Sequence, residues 1–346
     1  MGVRKDINLQ KIASELGVSV VTVSNALNGR KGVSVKLRKD IMKKAEEIGY
    51  ILPEREVKEM EIKKIGVLVA DRYVAYFPSF YMDIYKNIVR VADSKHCLTV
   101  LEVVDAKKES LQEKKNSFIN FNVDGIIIIG EMNQDYILWL KSVCDVPFVC
   151  MDFYNNDKNF DYFIADSFRG MCTMTEKLIN LGHVDIGFLG SPKATHSIMD
   201  RYMGYLKALH KNDIKTRKDR LYSDRDKKGK ICKEAIELTE DLPTAFVCNC
   251  DMAALTLIEI LKDKGLRVPE DISIVSFDNY YYCKTIEGVE LTTYEHNSKA
   301  MAQVGVNTLV KRMIKNKKSE GVRIVRGKVI EGNTTKKYEE MYGRES

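Results

Sequence analysis

Residues 9–50 read LQKIASELGVSVVTVSNALNGRKGVSVKLRKDIMKKAEEIGY and contain three short segments with helical periodicity. Four apolar residues of the first segment recur at the spacing of one helix face: Leu9, Ile12, Ala13 and Leu16. Gly17 then supplies a turn, Ser19 can cap a second helix, and Ser34 can cap a third. This order of helix, glycine turn, short helix, loop and third helix predicts an all-α helix-turn-helix headpiece over residues 1–50.

The net charge of the chain is concentrated in this N-terminal segment. The first 50 of its 346 residues contain ten Lys and Arg against five Asp and Glu, a net charge of +5, whereas the whole chain carries +6. A basic module attached to a nearly neutral body is typical of a protein that binds nucleic acid. A solvated basic face without a partner would carry the same charge and remains the alternative.

The composition argues against several classes of protein. No stretch approaches 18 uncharged apolar residues, so a membrane-spanning helix is not expected. The N-terminal residues include no apolar run of signal-peptide length, and eight cysteines without such a signal predict a cytoplasmic location rather than a disulfide framework. Cys248 and Cys250 form a C-x-C pair with no second pair or clustered histidines, so neither a metal nor a cofactor is predicted.

The remainder of the chain alternates apolar runs with amphipathic segments. Eight strands are predicted: Ile65–Ala70, Leu98–Val104, Gly125–Ile129, Phe148–Phe153, Tyr162–Ala165, Asp185–Leu189, Ala245–Val247 and Ile272–Phe277. Five helices are predicted between them: Phe80–Ser94, Leu111–Asn120, Gly170–Leu181, Met199–Lys211 and Met252–Lys264. Regular β-α alternation with nearly continuous apolar strands predicts α/β structure with parallel sheets covered on both faces. Because the segment is too long for one sheet, two doubly wound lobes are expected.

A dense set of headpiece residues occurs at fixed spacing: Ile12-Ala13, Gly17-Val18-Ser19, Thr22-Val23-Ser24, Leu27-Asn28, Val33-Ser34, Arg38 and Gly49-Tyr50. This set resembles the DNA-binding headpiece of the lactose-repressor (LacI/GalR) family. The resemblance implies that the second helix enters the major groove and reads bases through Val20, Val21 and Asn25. Most relatives carry Arg at the last position, whereas Asn suits adenine and the valines suit thymine methyl groups. Phosphate contacts are expected from five residues: Thr22, Ser24, Asn28, Arg30 and Lys31.

A hinge helix follows the headpiece in this family and inserts an apolar side chain into the minor groove. Here it would occupy residues 51–62, with Pro53 one residue later than in the family pattern and Met60 as the inserted side chain. The segment has four Glu against one Arg and one Lys, which is unfavourable beside phosphates. A solvated linker helix without a groove contact is therefore the alternative.

Six segments of the body carry the same resemblance: FIADSFRG, INLGHVDIGFLG, DRYMGYLKAL, PTAFVCNCDMAA, LRVPEDISIVSFDN and ELTTYEHN. They resemble the two-lobed, periplasmic-binding-protein-like sensor of the family and imply an effector-binding domain over residues 63–337. The chain is expected to cross between the lobes three times, near Ala165, Leu291 and Gly321. These crossings divide the chain as follows: 63–164 and 292–320 in the first lobe, 165–291 and 321–337 in the second, and 338–346 as a tail.

Ligands of doubly wound sheets bind at the carboxyl ends of the strands, which in a two-lobed body face the cleft. By resemblance, four residues occupy effector-contact positions: Asp278, Arg201, Asp152 and Ser197. Carboxylates paired with an Arg can recognise sugar hydroxyls. Asp71 follows the first strand and is a further candidate, and Tyr76 and Phe77 are candidates to stack on a sugar ring.

One position departs from the family pattern. Cys250 stands where relatives usually carry an Asn that contacts the ligand, and a thiol is a weak hydrogen-bonding group. The polar contacts of the effector are therefore expected to differ from those of common inducers, with Cys250 still at the site. Asp251, the next residue, is expected to be a helix N-cap.

Taken together, these observations predict a transcriptional regulator, namely a repressor of carbohydrate-utilisation genes controlled by a sugar-like effector between two lobes. A symmetric homodimer would read a palindromic operator in double-stranded DNA. The alternative is a cytoplasmic sugar-binding sensor without direct operator binding. Catalysis is not expected, because no G-x-G-x-x-G follows the first strand and no P-loop or G-x-S-x-G motif occurs.

Overall fold

The computed structural model describes residues 9–50, 62–74, 80–155, 157–280, 288–315 and 318–343. Its internal contacts divide the chain into two compact units, residues 1–61 and residues 62–346. Each unit contains its own hydrophobic core. None of the helices in the described ranges combines the length and the apolarity needed to cross a lipid bilayer.

The first unit contains the predicted three helices: α1 (Leu9–Glu15), α2 (Val20–Leu27) and α3 (Val35–Glu47). Both predicted caps are confirmed, since the Ser19 hydroxyl accepts a hydrogen bond from the Thr22 backbone N–H and the Ser34 hydroxyl accepts one from that of Leu37. The helices pack around six buried residues: Ile12, Ala13, Val23, Ala26, Ile41 and Ala45. The face of α2 that points away from Val23 and Ala26 does not take part in this core and can contact another molecule.

The second unit alternates strands and helices, as predicted. Its strands within the described ranges are β1 (Lys63–Ala70), β2 (Cys97–Val104), β3 (Gly125–Ile129), β4 (Phe148–Met151), β5 (Asp161–Ala165), β6 (Ile186–Leu189), β7 (Leu221–Tyr222), β8 (Ala245–Cys248), β9 (Ser273–Asp278), β10 (Thr292–Glu295), β11 (Val322–Val325) and β12 (Val329–Ile330). Its helices there are α4 (Phe80–Asp93), α5 (Ala106–Glu109), α6 (Ser117–Phe121), α7 (Gln134–Val143), α8 (Ser167–Asn180), α9 (His196–Lys211), α10 (Asp251–Asp263), α11 (Ser298–Lys315) and α12 (Tyr338–Tyr342).

The described strands form two sheets with matching topology. The first lobe is built on a sheet of order β11-β5-β4-β3-β1-β2, in which all neighbours are parallel. The second lobe is built on a sheet of order β12-β10-β9-β8-β6-β7, in which only the edge strand β12 is antiparallel to its neighbour. Strand order reverses between β1 and β3 in one sheet and between β6 and β8 in the other, and such switch points are where doubly wound sheets bind ligands.

A glycine allows α8 and α9 to pack closely in the second lobe. Adding a Cβ atom at Gly204 would place it 2.2 Å from the Phe168 carbonyl oxygen, far inside van der Waals contact. Gly204 lies in the middle of α9, whose first turns carry Ser197 and Arg201. The position of those two side chains therefore depends on the close α8–α9 contact.

Two of the predicted crossings lie elsewhere in the chain. The first occurs after β5, near Ala165 as predicted. The strand β10 remains in the second sheet, paired with β9 through Thr292 and Val275, so the second crossing follows it rather than lying near Leu291. The strand β11 belongs to the first sheet and β12 to the second, so the third crossing lies between these strands and not near Gly321. These positions were implied by the family resemblance, whereas the sheet that each short strand joins is set by its pairing, here of β10 with β9 and of β11 with β5.

The predicted helix Leu111–Asn120 is also wrong. Two short helices, α5 and α6, stand in this region, and each begins at its own capping residue. The Asp105 carboxylate accepts hydrogen bonds from the Lys107 and Lys108 backbone N–H groups, and the Asn116 side chain accepts one from that of Phe118. A cap inside the predicted span starts a new helix, which the apolar spacing alone did not indicate.

Candidate functional site

The exposed face of α2 begins with an apolar pair followed by an amide. Val20 and Val21 are 38% and 68% exposed, which is unusual for valine and leaves their methyl groups free for contact. The Thr22 hydroxyl lies 2.8 Å from that of Ser19, so both belong to the cap. The Asn25 side chain makes no hydrogen bond with any described residue, and its donor and acceptor remain available to a base edge.

The end of α2 is held in place by two polar side chains. The Asn28 amide donates a hydrogen bond to the Ser24 carbonyl oxygen at 2.7 Å. Arg38, on α3, donates to the carbonyl oxygens of Ala26 (3.0 Å) and Arg30 (2.5 Å). This contact fixes the loop that presents the exposed Arg30 and Lys31 side chains. The sequence marked Arg38 only as a family match, and its role in positioning the loop is visible in the structure.

A cavity of about 280 Å³ lies at the carboxyl ends of strands from both sheets; we call it the cleft. From the first lobe it is lined by Arg72, Tyr73, Phe80, Tyr81 and Asp152. From the second lobe it is lined by Ala194, Thr195, Ser197, Ile198, Arg201, Arg225, Lys228, Gly229, Ile231, Asn249, Cys250, Met252, Asp278 and Tyr280. Its volume is at the small end of the range of about 300–1,000 Å³ typical of ligand pockets, which favours a ligand of monosaccharide size.

Most of the predicted effector residues line this cleft: Asp152, Ser197, Arg201, Cys250 and Asp278. Asp71 does not; it is exposed at the start of a short 3₁₀ turn, Asp71–Tyr73, and the next two residues line the cleft instead. The prediction for Asp71 was wrong because the turn after β1 directs its side chain to solvent. Met60, Tyr76 and Phe77 lie outside the described residues.

The centre of the cleft is a buried ion pair between α9 and the end of β9. Arg201 is 4% exposed, its Nη2 atom lies 3.2 Å from Asp278 Oδ1, and its Nη1 atom donates to the Asn249 carbonyl oxygen at 2.6 Å. The guanidinium carbon lies 4.0 Å from the centre of the Phe277 ring, a cation–π contact. Arg201 Nε and Asp278 Oδ1 are buried atoms that make no hydrogen bond with any described residue, although Oδ1 takes part in the ion pair.

Burial raises the pKa of Asp278 to about 8. The Arg201 guanidinium opposes this shift, whereas the carboxylates of Asp251 and Asp152 reinforce it. The backbone of Asp278 has φ of +117°, a conformation that a non-glycine residue adopts only when the surrounding structure holds it there. The fold therefore aims this carboxyl group into the cleft at an energetic cost.

Asp152 is held by a histidine that sequence analysis did not select. His296 Nε2 lies 3.1 Å from Asp152 Oδ1, and both residues are buried. His296 directly follows β10 and therefore lies at the second crossing between the lobes. Its ring also packs edge-on against that of Phe80, with centroids 4.6 Å apart. The sequence signal was weak, because only the three-dimensional fold brings these residues together.

Cys250 and Asp251 have structural environments different from those expected. Cys250, not Asp251, is the N-cap of α10, and its side chain makes no capping hydrogen bond. Burial raises the pKa of its thiol to about 12, so it stays neutral near pH 7. Asp251 is the first helical residue, and its carboxylate accepts hydrogen bonds from the Ser276 and Thr293 hydroxyls and the Tyr280 backbone N–H. Asp251 thus positions the loop that follows Asp278.

Two further cationic residues of the cleft were missed, Arg225 and Lys228. They follow β7, which has only two residues and gives no alternation that a sequence pattern can detect. The sequence analysis also did not select four aromatic residues that line the cleft, namely Tyr73, Phe80, Tyr81 and Tyr280. Within the described ranges, no three His, Cys, Asp or Glu residues are arranged to hold a metal ion.

Comparison with known proteins assigns both units. The sequence profile of "Bacterial regulatory proteins, lacI family" matches residues 8–52, and that of "Periplasmic binding protein-like domain" matches residues 175–335. Both units are thus similar to those of LacI-family regulators. The HTH-type transcriptional repressor PurR of Pasteurella multocida is 29% identical to it over 317 residues, which cover 90% of this chain and 93% of the relative.

The fold of this chain is shared by solved structures. A LacI family transcriptional regulator from Enterococcus faecium with bound ribose has a TM-score of 0.68 and 23% identity, covering 80% of this chain and 99% of that one. The Lac repressor dimer bound to operator and the anti-inducer ONPF has a TM-score of 0.64 and 24% identity, covering 96% and 100%. These two structures show that the chain shares the fold of solved regulators of transcription.

Proposed function

We propose that this chain is a cytoplasmic repressor of transcription that binds an operator through its headpiece and a sugar-like effector in its cleft. The observation that carries the proposal is the buried pair of Arg201 and Asp278. This pair lines a small cavity with aromatic walls, in the same chain as a helix-turn-helix unit, and its Arg201 Nε and Asp278 Oδ1 atoms make no hydrogen bond with any described residue. A sugar hydroxyl both donates and accepts, and so matches such a pair.

The aromatic lining supports a ligand with apolar as well as polar faces. Phe80, Tyr81 and Tyr280 line the cleft beside the ion pair, and a sugar ring presents C–H groups that pack on aromatic faces. The Enterococcus faecium regulator of the same fold holds ribose. A monosaccharide or a derivative of similar size is therefore the proposed effector class.

The DNA-binding half of the proposal rests on the exposed face of α2. The Lac repressor of this fold binds its operator as a dimer, and a symmetric homodimer here would read a palindromic site. We propose residues 51–62 as the hinge between headpiece and body, with Met60 as its minor-groove side chain. Effector binding would shift the dimer between states of different operator affinity, and DNA would weaken effector binding by the same factor if the effector causes release.

The proposal is tested on the full-length protein with duplex fragments from its own chromosomal neighbourhood. We expect one fragment to bind tightly in low salt, with an affinity that falls steeply as the salt concentration rises. In Lys31→Ala, the slope of log affinity against log salt concentration should become shallower by about one, because one phosphate contact is lost. Lys95→Ala, at an exposed lysine of the body, is the matched control and should bind as the wild type does. A panel of sugars is then screened for thermal stabilisation and for operator release. If the protein binds a sugar but none of the duplex fragments, the alternative of a sugar sensor without operator binding is favoured.

Asn25 is expected to set a base preference different from that of Arg-bearing relatives. Selection from randomised duplexes should return adenine opposite Asn25, because its amide can pair with adenine N6 and N7, and thymines near Val20 and Val21. Asn25→Arg should change that adenine to guanine, with about 1–3 kcal/mol of discrimination at this base pair alone. Thr216→Arg, at an exposed threonine of the body, is the control that should leave the selected site unchanged. A guanine preference in the wild type would contradict this assignment.

A further inference from the structure

The cleft carries more positive than negative charge. Four cationic side chains line it, namely Arg72, Arg201, Arg225 and Lys228, against the two carboxyl groups of Asp152 and Asp278. Arg72 is neutralised locally, since it contacts the Glu109 carboxylate and donates a hydrogen bond to the Glu131 carbonyl oxygen. Arg201 is paired with Asp278. The remaining two cations both follow β7: Arg225 is paired with the buried Asp224 beneath it, and Lys228 makes no ion pair with any described residue.

Arg225 is held rigidly by a carboxylate beneath it. Its Nε and Nη2 atoms donate to the two oxygens of Asp224, at 2.9 and 2.7 Å. Asp224 is fully buried and also accepts hydrogen bonds from the Ser191 hydroxyl (2.8 Å) and the Asn249 amide (2.6 Å). The Nη1 group of Arg225 makes no hydrogen bond with any described residue, and the side chain is 17% exposed at the cleft. A fixed guanidinium with free donors is suited to an anionic oxygen.

Lys228 provides a second positive charge three residues further along. Its loop is tight, because the Asp226 carboxylate accepts hydrogen bonds from the backbone N–H groups of Lys228 and Lys230, at 2.8 and 2.9 Å. The Lys228 ammonium group forms no ion pair with any described residue. Its charge is therefore available to a ligand in the cleft, which Lys228 and Arg225 both line.

Hydrogen bonds through Asn249 and Asp224 connect the guanidinium groups of Arg201 and Arg225. Asn249 accepts a hydrogen bond from Arg201 through its carbonyl oxygen and donates one to Asp224 through its side chain. The Arg201–Asp278 pair and the Arg225–Lys228 pair thus belong to neighbouring parts of one cavity. A ligand that fills it can place hydroxyls at the first pair and a negative group at the second.

We propose that the effector is an anionic sugar derivative whose carboxylate or phosphate group is bound by Arg225 and Lys228 while its hydroxyls contact Arg201 and Asp278. This inference rests on the proposed function, since it names the chemical class of the effector at the same site. Charge-assisted hydrogen bonds to such a group are about twice as strong as neutral ones, so the acidic sugar should bind more tightly than its neutral parent.

The test compares neutral and acidic sugars of the same ring with the full-length protein. D-Glucose, D-gluconate, D-glucose 6-phosphate, D-ribose and D-ribose 5-phosphate are titrated by calorimetry, and inorganic phosphate is tested alone for thermal stabilisation at constant ionic strength. At least one acidic sugar should bind about tenfold or more tightly than its neutral parent, with a difference that shrinks in high salt. Comparing the affinity for D-gluconate with the affinities for the two sugar phosphates shows whether the site prefers a carboxylate or a phosphate.

Lys228→Gln should reduce the affinity for the acidic sugar by about tenfold and leave that for a neutral sugar unchanged. Lys227→Gln is the matched control, since Lys227 is exposed and does not line the cleft. Stabilisation by inorganic phosphate should likewise disappear in the Lys228 variant only. If neutral sugars bind as tightly as acidic ones and the Lys228 variant behaves as the wild type, the inference is overturned while the proposed function stands. If no sugar of either kind binds, both fail.

Discussion

Replacing Asp278 with Asn is expected to abolish the response to the effector while leaving operator binding unchanged. The carboxyl group lies at the end of β9, lines the cleft and is paired with Arg201 through its Oδ1 atom. The amide keeps the shape but turns one acceptor into a donor that opposes the Arg201 guanidinium. Disrupting a buried, hydrogen-bonded charge pair costs about 2–5 kcal/mol, which predicts a loss of effector affinity of about 30-fold or more.

The measurement is operator binding at increasing effector concentration, with effector affinity determined separately by calorimetry. Asp71→Asn is the matched control, because it makes the same chemical change at an exposed residue that follows a strand but does not line the cleft. It should respond as the wild type does. Loss of operator binding by the folded Asp278→Asn protein, or a normal effector response, would contradict the assignment of this residue to the effector site.

Local signals in the sequence were sufficient for the headpiece. Ser19 and Ser34 act through hydrogen bonds to residues three positions away, and the buried face of each helix follows a simple period. The effector residues at strand ends were predicted because parallel strands place their carboxyl ends at one edge, and because family resemblance selected Asp278, Arg201 and Asp152. The capping residues and the placement of Asp278, Arg201 and Asp152 at the cleft are therefore as predicted, whereas their role in effector binding stays a prediction.

The parts that sequence reasoning missed depend on contacts between distant segments. His296 meets Asp152 only because the second crossing passes beside the end of β4. Arg225 reaches the cleft because the two-residue strand β7 joins the edge of the second sheet, and such a strand has no detectable period. Likewise, the sheet in which β10 is placed is decided by its pairing with β9 and by the hydrogen bond from Thr293 to Asp251. None of these contacts is encoded in a local pattern.

Replacing Arg201 with Ala is expected to destabilise the body by an amount that grows as the pH rises. The substitution removes the cation beside a buried carboxyl group, and breaking a buried ion pair in this way costs about 3–5 kcal/mol when the remaining charge cannot be neutralised. Asp278 can avoid that cost by keeping its proton. The penalty should therefore be smallest in mildly acidic solution.

The direction of the pH dependence follows from the pKa of Asp278, which burial raises to about 8 in the folded protein, against about 3.9 in an unfolded chain. Between these values the folded state binds more protons than the unfolded state, so the free energy of unfolding falls as pH rises and levels off above the folded-state pKa. Without the Arg201 guanidinium, which lowers this pKa, the carboxyl group holds its proton to higher pH. The variant should therefore continue to lose stability above about pH 8, where the wild type no longer does.

Thermal or denaturant unfolding of both proteins from about pH 6 to about pH 9.5 measures this difference, which should widen by about 1.4 kcal/mol for each pH unit above the wild-type pKa. The double variant Arg201→Ala/Asp278→Asn is the control, because it lacks the titrating group: its deficit relative to the wild type should shrink up to about pH 8, as the wild type loses stability, and should not widen above it. A deficit of Arg201→Ala that stays constant with pH would show that the loss comes from packing against Phe277 and not from the unpaired carboxylate. The pH series thus separates the electrostatic role of Arg201 from its contribution to the core of the second lobe.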